Sequence, residues 1–186
     1  MDRKARWTLA LLALVCALPV AASYFSFYLW PPRGQINYGD LIAPAPLPEG
    51  QVSAVAGLAF DPESLQGHWV LIYVGPAECD RVCAEALYDL RQVRLAQGKE
   101  MHRVERLWLV SDAGTPEAAA LANHAGLQVA RSDPAWLSPP GDGSPAAGHV
   151  YLMDPLGMVM MRYPLGPEPK RMVKDLERLL KYSRIG

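Results

Sequence analysis

Two cysteines four positions apart, Cys79 and Cys83, carry the clearest chemical signal in the chain. Thiols at this spacing can cycle between dithiol and disulfide, or grip a soft ion such as Cu(I) between two thiolates. Regular helical geometry holds Cβ atoms four residues apart at roughly 5–6 Å, whereas a disulfide wants about 3.8 Å. Closure therefore requires Cys79 to sit at or before a helix cap. The spacing leaves a structural disulfide, or two packed thiols, open as the alternative. His149 is the candidate third ligand, because two sulfurs and an imidazole would hold either oxidation state of copper. The alternative for His149 is a loop histidine bonded to backbone. His68, His102 and His124 lack neighbours of ligand type and read as surface residues. Met158, Met160 and Met161 form a thioether-rich strand that reads as packing rather than copper handling. Trp136, between Pro134 and Pro139, either covers the active face or packs on its own domain. No Ser/His/Asp set, phosphate loop or paired carboxylates accompany these residues.

The elements around the pair set its environment. Trp69-Val70-Leu71-Ile72-Tyr73-Val74 is a continuous apolar run, the pattern of a strand buried on both faces, and Gly75-Pro76 ends it. From Cys79 to Gln97 the apolar residues Val82, Ala86, Leu90 and Val93 recur at helical steps, and Gly98 is a stop signal. The pair thus opens a helix directly after a buried strand. A thiolate there is stabilised by the helix dipole, so Cys79 is expected at the exposed mouth as the attacking sulfur and Cys83 inside as the resolving one. Arg81 would favour the thiolate; Glu78 and Asp80 would oppose it.

Leu107 to Val110 reads as a second buried strand closed by Ser111-Asp112, and Thr115-Pro116 as the start of a helix running to about His124. No partner for Asp112 is legible. Val150 to Met153 is a third strand, Asp154-Pro155-Leu156-Gly157 a type I turn, and Met158 to Tyr163 the antiparallel return. Pro169 starts a last helix with Met172, Val173, Leu176, Leu179 and Leu180 on one stripe and Lys170, Lys174, Arg178 and Lys181 opposite. The order β-α-β-α-β-β-α is that of an α/β thioredoxin-like fold with its active pair at the first strand-to-helix junction.

The first thirty residues differ in kind. Arg3, Lys4 and Arg6 precede an uncharged run from Trp7 to Trp30, long enough at about 1.5 Å per residue to cross a hydrocarbon core. Tyr24, Tyr28 and Trp30 fit an aromatic belt at the far interface. Residues 1–30 therefore read as a signal-anchor transmembrane helix, in preference to a signal peptide cleaved after Val20-Ala21-Ala22. Cys16 reads as a packing residue within it. Pro31, Pro32, Pro44, Pro46 and Pro48 mark residues 31–50 as an extended stalk, which leaves 51–186 as the exported domain. Charge excludes a nucleic-acid protein: residues 31–161 hold 8 basic against 15 acidic residues, and the basic C-terminal end is mostly a solvated helix face.

With these features in place, the chain resembles the Sco/SenC family of cytochrome c oxidase assembly proteins, and more closely small membrane-anchored proteobacterial proteins that accompany oxidase assembly factors. The resemblance is carried by Leu65-Gln66-Gly67-His68-Trp69-Val70-Leu71-Ile72-Tyr73, the CxxxC pair, and His149 followed by Tyr151 to Gly157. It implies that Cys79, Cys83 and His149 bind copper, and that the protein delivers copper to, or reduces the thiols of, an oxidase subunit. The implied setting is the inner membrane, crossed by residues 7–30, with the C-terminal domain in the periplasm. The implied partners are an oxidase subunit or its assembly factors. The chain departs from that family at Asp80 and Ala84, where proline is usual, and in a His149 nearer the Pro155-x-Gly157 turn. An odd shift along a strand would turn the ring to the other face; in the loop where thioredoxins carry a cis proline facing the active pair, His149 would still reach the sulfurs. Two other functions remain open: a thiol–disulfide oxidoreductase without metal, and a non-catalytic assembly factor whose cysteines staple a loop.

Overall fold

A computed structural model describes residues 2–29, 37–47, 52–58, 60–133, 146–183 and 185. The expectations for Trp30, Pro31, Pro32 and Pro48, and for the loop holding Pro134, Trp136, Pro139 and Pro140, lie outside these residues. The chain divides into two units, 1–36 and 37–186.

The first unit is one helix, α1 (Arg3–Leu29), with Pro19 inside it. Its Arg3–Ser26 segment is long and apolar enough to cross a membrane. Tyr24 and Tyr28, one turn apart, stack at 6.4 Å between ring centroids. Cys16 is exposed on this helix and fills no packed interior.

The second unit is built on a seven-stranded sheet. Its strands are β1 (Asp40–Pro46), β2 (Ser53–Ala54), β3 (Trp69–Gly75), β4 (Val104–Val110), β5 (Leu127–Arg131), β6 (Val150–Met153) and β7 (Met158–Arg162). Their spatial order is β1-β7-β6-β3-β4-β5-β2. The pairs β3–β4 and β4–β5 are parallel, while β6, β7 and β1 add an antiparallel half. The helices are α2 (Arg81–Ala96), α3 (Ala118–Leu121) and α4 (Pro169–Tyr182).

Alternation along β3 sorts its side chains into two layers. Trp69, Leu71 and Tyr73 pack with Leu87, Leu90 and Val93 of α2 and Met172, Leu176 and Leu180 of α4. Each such aliphatic side chain, fully buried, is worth roughly 1.5–3 kcal/mol. Val70, Ile72 and Val74 face the other way, onto Leu65, Leu107, Tyr151 and Met153. The stripe on α4 falls as its periodicity predicts, with Lys170, Lys174, Arg178 and Lys181 exposed.

The strands expected at 69–74, 107–110, 150–153 and 158–163 are found at 69–75, 104–110, 150–153 and 158–162, the last helix spans 169–182, and the Asp154–Gly157 turn closes with a 3.0 Å bond from the Gly157 N–H to the Asp154 carbonyl. Three features differ. Residues 40–46, expected within an extended stalk, instead form β1, which pairs along β7 in the second unit. It is an edge strand, the one place where Pro44 and Pro46 withdraw no needed donor. The Asp175 carboxylate, 2% exposed, secures this entry by accepting the N–H groups of Tyr38 and Gly39 at 2.8–3.0 Å. The helix expected from Thr115 to His124 is the single turn α3, preceded by extended Glu117. Finally, β5, which follows α3 in the chain and runs parallel to β4, and its antiparallel partner β2 were not expected.

Candidate functional site

β3 runs through the middle of the sheet and delivers the chain to the site. It ends at Gly75, where an added Cβ would lie 2.7 Å from the Tyr73 ring, so the close approach needs glycine. Pro76 and Glu78 are exposed, while Ala77 is buried against the core. Cys79 follows, half-buried, and Asp80 caps α2 by accepting the Cys83 N–H at 2.9 Å. The helix thus starts at Arg81, two residues later than its apolar stripe suggested, because Asp80 takes the cap. Cys79 stands before the cap, as closure of a CxxxC disulfide demands. Cys79 and Cys83 are joined by a disulfide, with Cα atoms 5.1 Å apart. Cys83 is 1% exposed and packs with Leu87 in the core.

Neighbouring loops hold this junction. The Ser111 N–H reaches the Gly75 carbonyl at 3.0 Å. Asp112, without a legible partner in the sequence, accepts the Ala77 N–H through both carboxylate oxygens at 3.2–3.3 Å and the Gly114 N–H at 2.9 Å. Arg131 of β5 fixes the same loop by donating to the carbonyls of Asp112 and Ala113 at 2.8 and 3.1 Å, and to that of Gly114. Asp112-x-Gly114 directly after a buried strand is the turn signal that could have marked it. Tyr73 closes the underside: burial, then the Asp80 charge, raises its phenol pKa.

His149 stands elsewhere. Its carbonyl accepts the Val74 N–H at 3.2 Å just ahead of β6. By alternation residue 149 shares a face with Tyr151, and the two rings meet edge-on at 6.2 Å. Tyr151 belongs to the layer opposite α2, whereas Cys83 and Cys79 pack in the layer beneath α2. The His149 Nδ1 lies 2.8 Å from the Tyr163 carbonyl oxygen. That oxygen can only accept, so Nδ1 donates. The expected set of Cys79, Cys83 and His149 is not assembled: among the described residues no three His, Cys, Asp or Glu side chains converge as a metal site.

The remaining candidates resolve simply. His68 and His102 bond backbone carbonyls at 3.1 and 2.9 Å. His124 is half-buried rather than a surface residue, and its Nδ1 is buried without a protein partner. Met161 is fully buried beside Gly39, and Met160 packs on the same core, so this strand's thioethers serve packing.

A family profile described as the transmembrane-like, thioredoxin-like, C-terminal domain matches residues 69–183. Among solved structures, yeast Sco1 with copper bound is 18% identical, with a TM-score of 0.55, covering 81% of this chain and 96% of that one. A SCO1/SenC family lipoprotein from Bacillus anthracis is 16% identical, with a TM-score of 0.52, covering 79% and 98%. BsSco, described by a disulfide switch and as a member of the Sco family of cytochrome c oxidase assembly proteins, is 18% identical, with a TM-score of 0.51, covering 80% and 96%. No curated protein matches the chain.

Proposed function

Because this chain belongs to the transmembrane-like, thioredoxin-like C-terminal domain family and has a Sco/SenC-like fold, we propose that it assists cytochrome c oxidase assembly through thiol–disulfide exchange at Cys79 and Cys83. The observation that carries this reading is the disulfide at the β3–α2 junction, with Cys79 half-buried and Cys83 buried. In the reduced protein the Cys79 thiolate attacks one sulfur of a client disulfide, and the first client thiolate leaves. Cys83 then attacks the Cys79 sulfur, the second client thiolate leaves, and the Cys79–Cys83 bond reforms. Two electrons pass to the client, and the two cysteine protons end on its thiols. A dithiol reductant of the exported compartment resets the pair.

α1 is the anchor, placed in the inner membrane with the domain on the periplasmic side; its basic start and apolar length support this. The client is an oxidase subunit or another assembly factor. The reduced pair also offers two soft sulfurs to Cu(I) as cargo, a reading supported by the relative solved with copper bound. In that role His149 would join only after a loop movement brought its ring round.

Cells lacking this protein provide the test. Wild type restores oxidase activity, and Cys79→Ser or Cys83→Ser does not, while both variants accumulate at normal levels. Rescue by the double Cys→Ser variant would instead establish a non-catalytic docking role. His149→Ala separates cargo from exchange: exchange persists, and a change confined to copper stoichiometry would assign His149 to the metal.

A further inference from the structure

A groove of about 830 Å³ opens beside Cys79, between the start of α2 and the loop from β4 to α3. Cys79 lines this groove and His149 does not. Cys83 is buried and Cys79 only half-buried, so Cys79 is the cysteine an incoming thiol or disulfide meets first, and among the described residues this groove borders it. Four of the groove's lining residues are alanines, Ala77, Ala84, Ala119 and Ala120, whose small side chains leave room for an extended backbone with its side chains. The charged residues that line it have one sign, Glu78, Asp112 and Glu117; the nearby cation Arg131 is not in the lining and is engaged with the carbonyls of the same loop. His124 also lines the groove, and burial, followed by Arg106 and Arg91, lowers the pKa of that imidazole, so it adds no cation at neutral pH.

We infer that this groove seats a cationic, cysteine-bearing segment of the client, which presents its sulfur to Cys79 from the β4–α3 side. The inference rests on the reading of Cys79 as the attacking sulfur. Opposite charge along the groove raises encounter rate and fixes register, while the alanine lining accepts varied side chains.

Three labelled peptides test it on the oxidised full-length protein in uncharged detergent, with Cys16→Ser in the background. They share one sequence with serine in the cysteine position, flanked by lysines, serines or glutamates. Lacking a thiol, they report binding apart from exchange. The lysine peptide is expected to bind about tenfold or more tighter than the glutamate peptide at low salt, and to lose this advantage in concentrated salt. Glu117→Lys should weaken the lysine peptide about threefold. Glu63→Lys, which makes the same charge change at the opposite end of β3, should leave it unchanged. Equal binding of all three peptides, or equal weakening by Glu63→Lys and Glu117→Lys, would overturn the inference. Cysteine-bearing versions then score the chemistry separately. Selective binding without exchange leaves the groove standing and removes the redox function; exchange without charge preference does the reverse.

Discussion

The side chain of Asp80 accepts the backbone N–H of Cys83 at 2.9 Å, so the residue between the two cysteines both starts α2 and sets the geometry of the pair. Its cap and its charge act on different observables. Asp80→Ala should cost about 1 kcal/mol of folding stability through the lost cap. Asp80→Asn keeps the cap but removes a negative charge beside Cys79, and a like charge disfavours the thiolate. Reduced Asp80→Asn protein should therefore alkylate faster than wild type at neutral pH, with its rate profile moved to lower pH. Stopped alkylation followed by mass spectrometry checks both points.

Asp175 on α4 ties the chain's entry into the domain to its last helix. Its buried carboxylate satisfies two backbone N–H groups across a separation of more than 130 residues. Asp175→Ala strands those donors and should cost about 2–3 kcal/mol; Asp175→Asn, which can still accept, should cost less. Chemical unfolding of the full chain gives the ranking, and limited proteolysis near β1 should be accelerated in the alanine variant.

The folded state holds the His124 pKa below its ordinary 6.5, first by burial and then through Arg106 and Arg91. The unfolded chain therefore binds the proton more readily, and stability falls as pH drops through and below the unfolded value. His124→Gln should flatten the slope of stability against pH between about 6.5 and 5. Denaturant midpoints at a series of pH values measure it.

Legibility in the sequence follows how local each determinant is. The turn at Asp154–Gly157 and the stripe of α4 are written in adjacent residues, and both appear as read. The cysteine pair is legible because an all-apolar β3 followed by Gly75-Pro76 leaves few places for the chain to go. β5 is not: Leu-Gln-Val-Ala-Arg has no apolar run, and only pairing with β4 makes it a strand. β1 misleads because its prolines forbid a central strand yet suit an edge. Asp112 gains its partner from a loop 35 residues away in sequence, which no local pattern encodes. His149 stands just ahead of β6, and its partner is the Tyr163 carbonyl 14 positions on, which no local pattern encodes.

Redox cycling of the native pair is the most direct test of the account. Full-length protein equilibrated in graded thiol–disulfide buffers, without denaturant, is quenched with an alkylating agent and mapped by mass spectrometry. The account predicts a single two-electron transition joining Cys79–Cys83 disulfide to dithiol within the folded state, with Cys79 labelled first on brief exposure. A pair that stays oxidised in strong reductant until the domain is unfolded would contradict it and leave the bond as a staple.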